Sequence, residues 1–349
     1  MKFVRSSFAD VYNIRCGETD VRSFSAESQV RDSTMSYYDG SGFHLHSQLS
    51  LQLKYTAPQN VADATKSFEI IQRYTDIAEA CCKQFSGRIL EVQGERLHLF
   101  FENELTKDTL RQMLFFCTEF INAVYENKLH LGGEAFEGFK TAFDHGRALI
   151  LSTGSNADDS FVSLGPCANR PAKHLPDVTA GATSMPTEIA KLLFEVDERY
   201  TWYTLNLKGR DSLALSANES WNLGNFSATV NQVLRKVYDP KAFFVRTDRM
   251  TMDRRFHFSS ANLLQGFFMR ADLDGFTKKV QAAFDSDSEQ VIHSLLWDFV
   301  NVLGYGEQFI AQTNRPVIRL PWAGDCANIL LLPRTVESID DAQLYYSAK

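Results

Sequence analysis

The chain has 349 residues, room for about two ordinary domains. Its 36 basic and 43 acidic residues give a formal charge of -7, and 44% hydrophobic with 23% charged residues is the mix of a soluble globular protein. That balance excludes a bulk polycationic surface for nucleic acid, and no run of about 18 apolar residues is present to span a bilayer. Residues 1–42 are polar, with serines and charges breaking every apolar run, and are expected to form an N-terminal arm. No apolar core follows Lys2 and Arg5, so no signal peptide is expected.

From Phe43 to Tyr55, His44, His46, Gln48, Ser50 and Gln52 alternate with Leu45, Leu49, Leu51 and Leu53, a strand pattern. Val61, Ala64, Phe68, Ile71, Ile77, Ala78, Cys81 and Phe85 then recur at helical spacing, and Gly87 ends that helix. Two extended runs, 88–93 and 96–101, joined by Gly94-Glu95, read as a hairpin. A second helix starts near Thr106 and buries Leu110, Met113, Leu114, Cys117, Phe120, Ile121 and Val124. Phe136–Phe143 and Arg147–Leu151 read as strands around an Asp144-His145-Gly146 turn. The breaker-rich stretch 176–186 suggests a boundary. Beyond it lie a strand candidate, Trp202–Leu207, and a helix candidate, Phe226–Val237.

The opening pattern then recurs. Phe267–Ala271 is a short strand, and Val291, Ile292, Leu295, Leu296, Phe299, Val302 and Leu303 lie on one helical stripe. Val317–Leu320 and Asn328–Leu332 flank Gly324-Asp325. Strand, helix and glycine-acid hairpin thus appear twice in the same order, the strongest organisational signal in the chain. The boundaries expected are 1–42 arm, 43–180 first domain, 181–260 bridging region and 261–349 second domain, both domains α/β with open sheets.

The six cysteines contain no Cys-x-x-Cys and read as free thiols of a reducing, cytoplasmic setting. The eight histidines form no compact zinc set; His44 and His46 share a strand face without a third ligand nearby in sequence. His145 and His174 have no partnered nucleophile in sequence, so a hydrolytic triad is not expected.

Asp272 ends one strand and Asp325 occupies a hairpin turn. If their strands are neighbours, both carboxylates emerge at one sheet end, where a divalent cation relieves their repulsion. Phosphoryl or nucleotidyl transfer uses such a pair, with two metals on the attacking and leaving oxygens. Leu273-Asp274-Gly275-Phe276-Thr277 is a tight strand-to-helix turn whose amides, at Gly275, Phe276 and Thr277, are candidates to receive phosphate oxygens.

Ala271–Thr277 followed by the Gly324-Asp325 hairpin resembles the catalytic domain of the class III nucleotide cyclases. The resemblance implies ferredoxin-like, palm-type domains, each an open, mostly antiparallel sheet with helices packed on it. It implies two Mg²⁺ or Mn²⁺ ions held by Asp272, the Leu273 carbonyl and Asp325, and conversion of a nucleoside triphosphate to a 3',5'-cyclic monophosphate and pyrophosphate. It also implies domain pairing within the chain or in a homodimer.

In the first domain, Gly165-Pro166-Cys167-Ala168-Asn169-Arg170-Pro171-Ala172-Lys173 resembles the family's Gly-x-x-Val-Asn-x-Ala-x-Arg. The resemblance assigns Asn169 to the ribose and Lys173, a point charge where the family has a planar fork, to the transferring phosphate. Glu91 falls on a base-reading position, its counterpart being Val162. Gly94-Glu95 falls on the second metal position. Matching 54–56 to 275–277 sets Leu51 or Gln52 against Asp272, so this domain has no first metal carboxylate. The chain after Asp325 is short for such a domain, so the second domain is expected to draw strands from elsewhere or to be incomplete. The alternative function is a catalytically silent cyclase-like module that binds a nucleotide or a protein.

Overall fold

The computed structural model describes residues 4–7, 34–52, 61–152, 161–208, 244–246, 261–263, 267–288, 290–292, 294–295, 298–299, 317–323 and 326–331. The strands in chain order are β1 (Val4–Ser7), β2 (Thr34–Leu51), β3 (Gly87–Gln93), β4 (Arg96–Phe101), β5 (Phe136–Ser152), β6 (Phe161–Leu164), β7 (Ala182–Pro186), β8 (Trp202–Asn206), β9 (Phe244–Arg246), β10 (Ala261–Leu263), β11 (Phe267–Asp272), β12 (Val317–Ala323) and β13 (Cys326–Leu331). The helices are α1 (Val61–Gln84), α2 (Lys107–Glu126), α3 (Pro166–His174), α4 (Thr187–Ala190) and α5 (Phe276–Asp285). They form two compact units. Unit 1 gathers Met1–Tyr38, Leu149–Leu164 and Lys241–Lys349; unit 2 gathers Asp39–Ala148 and Gly165–Pro240.

Unit 2 is an α/β domain with a mixed sheet in the order β3-β4-β2-β5-β7-β8. The β5/β7 pair is parallel, and β2/β4, β3/β4 and β7/β8 are antiparallel. Strand alternation divides the side chains between its faces. Phe43, Leu45 and Leu49, Leu97 and Leu99, Phe139 and Phe143 pack with Tyr74 and Ile77 of α1 and Leu114 and Phe120 of α2. Each such buried side chain contributes about 1.5–3 kcal/mol. The start of α2 follows its residues closely. Thr106 is the N-cap, its hydroxyl accepting from the Thr109 amide while Thr109 Oγ1 accepts from the Thr106 amide.

Two segments differ from the sequence expectation. Asp144-His145-Gly146 is not a turn, since β5 runs unbroken through it. A Cβ on Gly146 would stand 3.2 Å from Cys167 Cβ, so glycine serves close approach of α3 there. Ala182–Pro186, read as breaker-rich, is the fully buried strand β7. Gly165, before α3, is a second close approach: an added Cβ would meet Ala148 Cβ at 2.9 Å and the Arg147 carbonyl at 3.0 Å. Gly165→Val is expected to lower the urea midpoint by the equivalent of about 1–3 kcal/mol.

In unit 1, β1 pairs with the start of β2, β6 with the end of β5, and β9 with β10. Its three-stranded sheet has the order β11-β13-β12. Leu149, Val162 and Leu164 pack with Phe276, Val280 and Ala283 and with the helical residues Ile292, Leu295 and Phe299. The C-terminal stretch therefore shares its core with a segment far upstream. The helix candidate 226–237 lies outside the described residues.

The repeat survives in the backbone. Unit 2 has the order β3-β4-β2 and unit 1 the order β12-β13-β11, each hairpin carrying one register shift along its first strand. Phe43–Gln48 pair antiparallel with Phe101–Arg96, and Phe267–Asp272 pair with Leu331–Cys326, over the same number of rungs. Gln48, opposite Arg96, thus stands where Asp272 stands opposite Cys326. This corrects the matching of Leu51 or Gln52 to Asp272, because ladder register and not the following turn sets the equivalence. Among the described residues the repeat covers these three strands and a helix, not a second complete domain.

Candidate functional site

The acid end of unit 1 begins where β11 leaves its sheet. The last rung pairs Asp272 with Cys326, the residue following Asp325 in the chain; Asp325 lies outside the described residues. Gly275 caps α5 with φ +70°, and an added Cβ would meet nothing within 4 Å, so backbone conformation selects glycine there. The Leu273 carbonyl accepts the Phe276 amide at 3.1 Å, and the Gly275 carbonyl accepts the amides of Lys278 and Lys279. The Phe276 amide is therefore engaged in the turn. Its ring is buried, 5.5 Å from the Phe299 ring, while Thr277 is half-buried and Asp274 exposed.

In unit 2, α3 carries Asn169 and Lys173 one turn apart, which puts them on the same helix face. Asn169 is half-buried and Lys173 exposed. Several contacts hold this helix to the sheet, among them Cys167 Sγ donating to the Arg147 carbonyl at 3.3 Å, and two flank Asn169. His46 Nε2 bonds the Ala168 carbonyl at 2.7 Å, and Arg170 Nη2 lies 2.7 Å from Asp144 Oδ2. Asp144, 1% exposed, also accepts the His145 amide at 2.8 Å. Burial pushes its carboxyl up to about 6, although Arg170 and the His145 amide act in the other direction.

His46 belongs to a buried imidazole cluster that sequence spacing did not reveal. The β2/β4 register sets His98 opposite His46, the rings stack with centroids 4.0 Å apart, and His44 Nδ1 lies 3.0 Å from His98 Nε2. Burial lowers His44 to about 3 and His46 to about 4, and lowers His98 well below the ordinary range, so all three are neutral near pH 7. Alternation of His44 and His46 was the only sequence signal; the third ring comes from another strand.

Glu91 lies opposite His98 and accepts from Gln93 Nε2. Burial raises its carboxyl to about 7, with the Gln93 bond opposing. Val162, its expected counterpart, belongs to the hydrophobic cluster of unit 1. Cys81, Cys82, Cys117 and Cys167 are free and buried, which matches their reading as packed thiols. His174 does have a hydroxyl neighbour, Ser184 Oγ at 3.0 Å, with Asp177 Oδ2 3.9 Å from its Nδ1. Ser184 is fully buried and donates to the Tyr203 carbonyl, so it is no accessible nucleophile.

Among the described residues no group of three histidine, cysteine or acidic side chains is arranged to hold a metal, and no helix is long and apolar enough to cross a membrane. No protein-family model matches the chain, and no curated protein sequence does. Solved structures do. A class III adenylyl cyclase-like ATP-binding protein from Pseudomonas aeruginosa aligns with TM-score 0.65 and 17% identity, over 89% of this chain and 68% of its own. The adenylyl cyclase CyaB from P. aeruginosa aligns over 45% of this chain and 82% of its own, with 10% identity and TM-score 0.38. The β-α-β-β arrangement and the first of these alignments establish a class III cyclase-like fold.

Proposed function

We propose that this protein is a nucleotidyl cyclase that converts a nucleoside triphosphate to a 3',5'-cyclic monophosphate and pyrophosphate. The observation that carries the proposal is the last rung of the β11/β13 ladder, Asp272 opposite Cys326. Cys326 is the residue that follows Asp325 in the chain, and the reading pairs Asp272 with Asp325 on that account. Two carboxylates and a carbonyl oxygen suit a hard divalent ion, and Asp272, Leu273 and Asp325 would hold Mg²⁺ or Mn²⁺. When bound, such ions supply charge neutralisation and acidify the 3'-hydroxyl. The Leu273 carbonyl keeps one lone pair beyond its bond to Phe276.

The residues of the chain do the positioning. The Gly275–Thr277 turn opens α5 toward phosphate oxygens, Asn169 steadies the ribose and Lys173 meets charge on the phosphates. Glu91, held by Gln93, contacts the base. Domain pairing, within one chain or in a homodimer, and a cytoplasmic setting belong to the same reading.

A second reading is favoured by Gln48, which stands in one repeat where the other has Asp272, and by the relative described as ATP-binding. It is a cyclase-like protein that binds a triphosphate without turnover. Purified protein with Mn²⁺ and each of ATP, GTP, CTP and UTP distinguishes them. Pyrophosphate and a cyclic product in equal amounts are expected; binding with neither product would leave the second reading.

A further inference from the structure

Of the contacts that hold α3 to the sheet, which include Cys167 to the Arg147 carbonyl and His174 to Ser184, two fall on Ala168 and Arg170, the residues on either side of Asn169. Both partners project from the sheet face opposite the α1/α2 core, His46 from β2 and Asp144 from β5. We propose that His46 and Asp144 are positioning residues that latch α3 to the sheet so that Asn169 and Lys173 meet the nucleotide. The inference rests on the reading of Asn169 and Lys173 given above.

The geometry makes the latch stiff on one side and titratable on the other. His46 is clamped on both its faces of contact: its Nε2 on the Ala168 carbonyl at 2.7 Å, its ring on His98 at 4.0 Å, with His98 bonded in turn to His44. Since Nε2 donates to a carbonyl, the Nε2–H tautomer is set. The ring stays neutral near pH 7, because burial lowers it to about 4 and the Arg96 guanidinium adds to this, while the bond to the Ala168 carbonyl acts in the other direction. This contact persists in mild acid.

Asp144 differs. It is 1% exposed, and its facing groups are Arg170 and Cys167 from α3, Glu188 from α4 and His145 on its own strand. Only Arg170 is a cation. The guanidinium side chain is half-exposed, at 53%, so the ion pair joins a buried acid to a base that reaches water. Protonation of Asp144 as the pH falls through about 6 removes the charge that Arg170 answers. Two further features make α3 dependent on such contacts. It has nine residues, too few for stability from its own hydrogen bonds, and Pro171 deletes one of those bonds from its interior.

The test uses the whole chain, with ATP as the probe. Hydrogen exchange of the α3 amides and equilibrium ATP binding are measured for the wild type, Arg170→Met, Arg170→Lys, Asp144→Asn and His46→Gln. Arg170→Met changes a half-exposed side chain, so it stays informative if Asp144→Asn fails to fold. Faster α3 exchange and ATP binding weakened about tenfold are expected for Arg170→Met, with Arg170→Lys restoring most of both. Wild-type affinity is expected to fall between about pH 7 and pH 5, while Arg170→Met is weak at both and loses the Asp144 part of that slope. The titration of ATP itself is common to both proteins. Unchanged α3 exchange in Arg170→Met and His46→Gln would overturn the latch. Faster exchange with unchanged ATP affinity would overturn the positioning role. Asn169→Ala then separates the causes: if it weakens ATP, only the latch inference fails, and if it does not, the assignment of Asn169 fails with it.

Discussion

Asp272→Asn is expected to abolish Mn²⁺-dependent turnover, by about a hundredfold or more, without lowering the melting temperature of the metal-free protein. The amide keeps the size of the side chain but carries no charge to answer a divalent ion. If Asp272 and Asp325 pair as proposed, the change also removes repulsion between them in the metal-free protein, and metal-free stability is then expected to hold or rise. Stabilisation of the wild type by added Mn²⁺ should disappear in the variant, since a ligand stabilises only the state that binds it. A variant that cyclises a triphosphate as well as the wild type, or that keeps the full Mn²⁺-induced rise in melting temperature, would refute the assignment. The chain contains its own reference for the substitution: Gln48 occupies the corresponding rung of unit 2 as an uncharged side chain.

The second large effect concerns acid and the imidazole cluster. His44 is fully buried, and its ring sits at about 3, below the ordinary histidine value near 6.5. A base whose folded pKa is depressed binds more protons when unfolded. Its contribution to stability is whole above about pH 6.5 and declines as the pH falls from there toward about 3, at ~1.4 kcal/mol per pH unit. His46 acts in the same sense down to about 4. Asp144 and Glu91 act in the opposite sense, because their folded values of about 6 and about 7 lie above those of the free side chains, so the net acid slope is a difference. A single substitution isolates one contribution. His44→Phe, beside Phe100 at a ring distance of 4.8 Å, is expected to cost stability at pH 7.5 through the lost His98 bond. Relative to wild type it should recover about 2 kcal/mol between about pH 7.5 and pH 5, read from urea midpoints at the two pH values. Parallel wild-type and variant profiles would mean that His44 takes up its proton while folded.

Local chemistry made much of the architecture readable. The stripe from Leu110 to Val124 and the Thr106 cap define α2, and the Gly94-Glu95 dipeptide between two extended runs defines the first hairpin. The recurrence of strand, helix and hairpin was likewise visible, because each element carries its own periodicity. Continuity of β5 through Asp144-His145-Gly146 was not visible. A glycine that admits Cys167 has the same one-letter appearance as a glycine that turns the chain. Likewise Ala182–Pro186 has no alternation because both its faces are buried, and its proline lies at the strand end.

The candidate site divides along the same line. Sequence by itself determined the residue types and their local settings: an acid ending a strand at Asp272, a glycine-capped helix after it, and Asn169 and Lys173 one turn apart on α3. Tertiary structure alone decided which residues face one another. It set Gln48 and not Leu51 or Gln52 on the rung that matches Asp272, brought His98 to His46, placed Asp144 under Arg170, and joined Leu149, Val162 and Leu164 to the core of unit 1. The physical reason is that periodicity and capping act over a few residues. Register and core membership instead depend on pairings between distant segments, and a shift of one residue in a ladder turns every side chain to the other face.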